Sequence, residues 1–151
     1  MSEKMRAMVL TKLGPIEVHP LNLMSIDKPT MRGNTGFLLE IEACGVCRSN
    51  LHLIEGDWKR HGVPSHLPLV PGHEIVGIVK KVGVGVKRIK VGDRVGIQPL
   101  FSSCLKCEYC TTGRENLCES AEITGETVQG GYAEYITCLL YTSPSPRDIS
   151  G

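Results

Sequence analysis

No surplus of either charge marks this chain: 17 lysines and arginines stand against 16 aspartates and glutamates, a formal net charge of +1. That balance removes the electrostatic reason to expect nucleic acid or an anionic membrane as a partner. No apolar run approaches the ~20 residues that a membrane-spanning helix needs. The segment from Met1 to Leu10 lacks the apolar stretch of a secretory signal, so a cytoplasmic location is expected. There is no internal repeat, and no succession of strand–helix units of the kind that builds a parallel nucleotide-binding sheet. A dinucleotide fingerprint is missing too: Val82-Gly83-Val84-Gly85-Val86 is followed by Lys87 and Arg88, with no third glycine.

What is present suffices for one ordinary domain, since 151 residues with 41% hydrophobic content can bury a core. The pattern is mostly β. Short β-favouring segments fall at 7–10, 37–43, 75–82, 94–97 and 132–137, and several alternate in part, as in Leu39, Ile41 and Ala43 against Leu38, Glu40 and Glu42. Glycine-containing turn signals separate them, among them Leu13-Gly14-Pro15, Val91-Gly92-Asp93 and Gln129-Gly130-Gly131. A short helical turn is expected after Cys47, through Asn50, Leu51 and Leu53. At Cys138 the strand pattern gives way to a serine- and proline-rich string, which predicts a flexible tail over 138–151 and a folded domain over 1–137. The string also resembles translated adaptor read-through, so the tail is expected to be non-native.

Seven cysteines is an odd number, which fits a disulfide framework poorly. Four of them, Cys104, Cys107, Cys110 and Cys118, follow the spacing C-x2-C-x2-C-x7-C. Such two-residue gaps let tight turns present neighbouring sulfurs to one ion, and zinc accepts four thiolates without redox chemistry. With four protein ligands no position is left for a substrate, so this loop reads as a structural zinc site.

A second group brings different chemistry together. Cys44-Gly45-Val46-Cys47-Arg48-Ser49-Asn50-Leu51-His52 supplies thiol, guanidinium, hydroxyl and imidazole, and Gly72-His73-Glu74-Ile75-Val76-Gly77 follows downstream with Gly83 and Val86 at fixed offsets. Cys44 and Cys47 alone also read as a redox C-x-x-C pair. Taken in order with Lys90-Val91-Gly92-Asp93-Arg94-Val95 and the four-cysteine loop, these motifs resemble the zinc-dependent alcohol dehydrogenases of the medium-chain dehydrogenase family, over about residues 5–137.

The resemblance implies a mainly β fold, a GroES-like barrel with short peripheral helices. It implies catalytic-zinc ligation by Cys47 and His73, with Glu74 close behind the metal. Ser49 is similar to the hydroxyl that bonds the substrate oxygen, and His52 to the outer end of the proton relay that Ser49 begins. Arg48 is similar to the residue that pairs with the cofactor pyrophosphate. Trp58, and with less certain register Phe101, resemble aromatics that wall the substrate pocket. The implied reaction is hydride transfer between a small alcohol and NAD or NADP through a zinc-bound alkoxide, giving an aldehyde or ketone, in an enzyme that is a homo-oligomer.

Two departures stand out. Asn50 takes a position usually held by aspartate, whose carboxylate supports a zinc-ligand histidine in the family; the amide can still accept a hydrogen bond but adds no negative charge. The family's dinucleotide-binding half and its third catalytic-zinc ligand both lie beyond residue 137, so this chain alone is expected to hold zinc at the cysteine loop and to oxidise no alcohol. A polyol or threonine dehydrogenase relative is the neighbouring reading, although such relatives tend to carry glycine where Arg48 stands. From another class, a stand-alone zinc-binding interaction module would explain the thiolate loop. It leaves Ser49, His52 and the histidine–glutamate motif without a purpose.

Overall fold

The computed structural model describes residues 3–31 and 33–140, and they are mainly β. Strand β1 (Lys4–Leu10) pairs antiparallel with β2 (Leu21–Asp27). The main sheet is antiparallel and combines β3 (Gly36–Gly45), β4 (Glu74–Val82), β5 (Arg94–Ile97) and β8 (Tyr135–Leu139) in the order β5-β4-β3-β8. A small pair, β6 (Leu100–Ser102) with β7 (Glu122–Ile123), frames the cysteine loop. Helices are few and short: α1 (Arg48–Glu55) follows β3, and α2 (Glu108–Thr111) lies within the cysteine loop. No helix among the described residues is long and apolar enough to cross a membrane.

Alternation explains the sheet's inner face. Phe37, Leu39, Ile75, Val79, Ile136 and Cys138 form one buried cluster, against which Ile41, Cys44, Val95 and Ile97 pack. Leu39 and Val79 are wholly shielded, and burying each such side chain is worth roughly 1.5–3 kcal/mol. A second cluster, Ala7, Val9 and Val70, joins β1 to the segment before β4, with Ile26, Tyr132 and Ala133 packed around it. Main-chain bridges close the barrel there: Leu10 and Leu69 exchange both bonds at 2.7 and 3.0 Å, and Met8 N–H donates to the Tyr132 carbonyl at 2.7 Å. Arg6 adds a fork to Glu134, its Nε and Nη2 lying 2.9 and 2.7 Å from one carboxylate oxygen.

Three expectations need correction. The strand at the end of the described chain does not stop at Thr137: β8 runs through Leu139, and Cys138 is buried in the core opposite Phe37. The rest of the expected tail lies outside the described residues. Ala43 does not continue the inward row of Leu39 and Ile41, because the β3–β4 register shifts between Ile41 and Ala43. The shift reverses the phase, leaving Ala43 exposed and turning Cys44 onto the core, a common use of a bulge beside a functional site. Strand β2 was also absent from the sequence pattern, since its residues are mostly exposed, Leu23 by 68%.

Candidate metal centres

The cysteine loop gathers its sulfurs with backbone geometry. Leu105 adopts a left-handed φ of 58°, which turns the chain tightly enough for Cys107 N–H to donate to Cys104 Sγ at 3.3 Å. Cys104 N–H in turn points at Cys118 Sγ, 3.5 Å away. The Cys104–Cys110 and Cys107–Cys110 sulfur separations are 3.8 and 3.5 Å. An ion bonded to four sulfurs at ~2.3 Å would space them about 3.8 Å apart, so the quartet has the dimensions of a tetrahedral zinc site. Electrostatics agree. The backbone N–H groups of Lys106 and Cys107 draw Cys104 down to about 6. Cys107 stands at about 11 despite the Cys110 N–H, because desolvation and its neighbouring thiols push it up. Sulfurs this crowded cannot all ionise without a cation among them.

The second cluster is assembled from distant parts of the chain. Cys47 occupies the cap position before α1, His73 precedes β4, and Glu74 opens that strand. One ligand atom from each of Cys47, His73 and Glu74 lies within 4.8 Å of the others. Glu74 pairs across the sheet with Gly45, where any β-carbon would collide with the Glu74 carboxylate. His73 is 5% exposed, its Nε2 is 3.3 Å from Ser49 Oγ, and its buried Nδ1 has no hydrogen-bond partner. A thiol, an imidazole and a carboxylate are together an ordinary donor set for zinc. The surroundings are acidic: Tyr132 is pushed up to about 12 by burial and then by Cys44, Glu74 and Cys47. Burial likewise raises Glu126, an effect that the nearby His73 moderates.

The segment that leads into His73 is held by main chain. Gly130 N–H donates to the Val70 carbonyl at 2.7 Å, Gly131 N–H to Gly72 at 2.9 Å, and Tyr132 N–H to Pro71 at 3.0 Å. Gly72 has φ 97°, and a β-carbon there would lie 2.7 Å from the Tyr132 ring and 2.9 Å from Cys44 Sγ. Asn50 is 1% exposed and its Oδ1 accepts from Cys47 N–H at 3.2 Å and from Tyr132 O–H at 3.0 Å. The amide thus performs the capping task of a carboxylate without its charge, while its Nδ2 is left unpartnered.

Of the other expected site residues, Ser49 joins Cys47, His73 and Glu74. His52 and Trp58 form an adjoining pair with ring centroids 5.6 Å apart. Arg48 is exposed at the first position of α1. Phe101 is elsewhere: it is buried in β6 and borders a cavity of about 270 Å³ with Met5, Val70 and Val128, which none of Cys47, Ser49, Trp58 or His73 lines. Sequence reasoning passed over Tyr132 and Asp57. Tyr132 stands in an ordinary strand pattern. Asp57 was visible only as the middle of Gly56-Asp57-Trp58, yet its Oδ2 lies 2.7 Å from His52 Nδ1.

A barrel of this topology, with a four-thiolate loop and a separate thiol–imidazole–carboxylate cluster, is the arrangement of a zinc dehydrogenase's catalytic domain. The chain belongs to the alcohol dehydrogenase GroES-like domain family, which matches residues 33–141. It is 49% identical over 132 residues to an alcohol dehydrogenase of Geobacillus stearothermophilus, covering 87% of this chain and 38% of that protein. A cobalt- and zinc-bound thermostable alcohol dehydrogenase from Pyrobaculum aerophilum superposes with a TM-score of 0.78 at 30% identity, over 91% of this chain and 40% of the other. The CAD from Helicobacter pylori, complexed with NADP(H), gives 0.75 at 28% identity over 91% and 40%. The chain therefore spans about two fifths or less of the length of the proteins it is similar to.

Proposed function

We propose that this chain forms the zinc-binding catalytic portion of an NAD(P)-dependent alcohol dehydrogenase, which interconverts small alcohols with aldehydes or ketones. The observation that carries the reading is the convergence of Cys47, His73 and Glu74 beside Ser49. Zinc held there would polarise the alcohol oxygen and favour its ionised form, as a nicotinamide cofactor's hydride chemistry requires. Ser49 would hold the substrate hydroxyl and draw off its proton, and His52 would pass that proton toward solvent. Trp58, beside His52, would wall the alcohol's carbon chain. Arg48, exposed at the start of α1, is free to pair with a cofactor phosphate. The quartet Cys104, Cys107, Cys110 and Cys118 would hold a second, purely structural zinc. The whole enzyme is expected to be a cytoplasmic homo-oligomer, and the 151-residue chain by itself to reduce no NAD or NADP.

Cobalt substitution tests the reading on the chain itself. One cobalt should bind tightly with the intense sulfur-to-metal absorption of a four-thiolate site, and a second weakly at excess metal. Cys47→Ser and His73→Ala should each abolish only the second. A second cobalt unaffected by either substitution would refute the assignment.

A further inference from the structure

Helix α1 ends in an arrangement that singles out one side chain. Gly56, at φ 87°, donates its N–H to the Leu53 carbonyl at 3.2 Å, and Asp57 N–H reaches back to the His52 carbonyl at 3.0 Å. This is the paired 5→2 and 6→1 bonding of a Schellman motif, and it fixes the backbone of residue 57 one turn above His52. The Asp57 carboxylate then bonds His52 Nδ1 at 2.7 Å, so the two residues are joined twice, by main chain and by side chain. The Trp58 ring lies beside the imidazole, its centroid 5.6 Å away and its plane tilted 36°. No described residue hydrogen-bonds Nε2.

We propose that Asp57 is a positioning residue for proton transfer: it keeps the hydrogen of neutral His52 on Nδ1 and leaves Nε2 as the single nitrogen that exchanges protons. A carboxylate only accepts, so the bonded nitrogen must be the N–H one, and the tautomer of a histidine follows the bond its other nitrogen makes. A proton delivered to Nε2 gives an imidazolium whose charge the Asp57 carboxylate offsets. Loss of the same proton to water restores the starting tautomer, and no electrons move. The inference rests on the relay role proposed for His52, but the tautomer itself is a property of this chain.

The experiment is a long-range ¹H–¹⁵N correlation spectrum of the zinc-loaded chain above the imidazole's titration, with His52 assigned by loss of its signals in His52→Gln. The wild type should show Nδ1–H as the major form. Asp57→Ala, which keeps the backbone bond to His52, should reverse the majority to the Nε2–H form that free histidine favours. Asp57→Asn should restore Nδ1–H, because its amide oxygen still accepts. A wild type with mainly Nε2–H, or an Ala variant indistinguishable from it, overturns the proposal. If Asp57→Ala does not fold, the wild-type and Asn spectra still decide. Failure of the dehydrogenase reading would appear separately, as a second cobalt that persists in Cys47→Ser and His73→Ala, with the His52 tautomer unchanged.

Discussion

The cysteine loop and the Cys47–His73 cleft use overlapping ligand chemistry but acquire their geometry by opposite routes. The loop collects its four sulfurs between Cys104 and Cys118, with help only from local N–H donors and one left-handed turn. The cluster needs the end of β3, the cap of α1, the start of β4 and the segment that leads into β8. One site can impose structure on its own segment; the other inherits structure from the barrel. The loop should thus fail when its metal is taken, and the cleft when its neighbours are disturbed.

The largest effect is expected at the loop. Removing its zinc with a chelator, or substituting buried Cys110 or Cys118 by serine, should lower the melting temperature by ~10 °C or more. Comparable sites contribute ~10–16 kcal/mol of apparent binding energy. Circular dichroism melting, with metal content measured on the same samples, checks this; a chain that melts unchanged without zinc would erase the contrast. Next comes Gly72→Ala, which forces a β-carbon against Tyr132 and Cys44 at a positive φ. It should cost ~2–4 kcal/mol in urea unfolding and weaken cobalt binding at the cleft, while the loop's cobalt absorption stays intact. Loss of both metals together would mean that the two sites are coupled through the barrel.

A subtler test restores the missing charge. Asn50→Asp would place a carboxylate against Cys47 N–H and Tyr132 O–H, and should tighten cobalt at the cleft about 10-fold without altering the loop. The smallest effect concerns Glu134. Arg6 holds its carboxyl below the usual 4.5, first through the backbone N–H and then through the guanidinium. A depressed folded value means that the stabilisation is complete above about pH 4.5 and is lost as the pH falls through the lower folded pKa. Glu134→Gln should flatten that acid limb of the stability curve while leaving both metal affinities alone.

The loop was legible in the sequence because its ligands are neighbours, and spacing alone expresses a local geometry. The main strands were legible for a similar reason, since Leu39, Ile75, Val79 and Ile136 lie in alternating patterns that name their buried face. Strand β2 was not, because its pairing with β1 is made by backbone and its side chains mostly face outward. The bulge at Ile41 to Ala43 leaves no compositional mark, so the reversal that turns Cys44 inward is expressed only in the pairing of β3 with β4. Cys138 misled by its company: the polar string that follows drew attention from a residue whose partner across the sheet is Phe37. Asp57 illustrates the remaining limit. A carboxylate after a glycine is an ordinary helix exit until the turn beneath it is seen to aim it at an imidazole.

The bonds from residues 130–132 to 70–72 hold the backbone that leads into His73 by peptide groups, with Ser49 the one side chain bonded to its ring among the described residues. Peptide groups are common to every residue, so mutation of surrounding side chains for size or polarity does not remove them. A designer wishing to reshape the proposed pocket could vary Trp58, provided Gly72, Gly130 and Gly131 are kept together with His52 and Asp57. The metal-facing ring would hold its address while the walls around it changed.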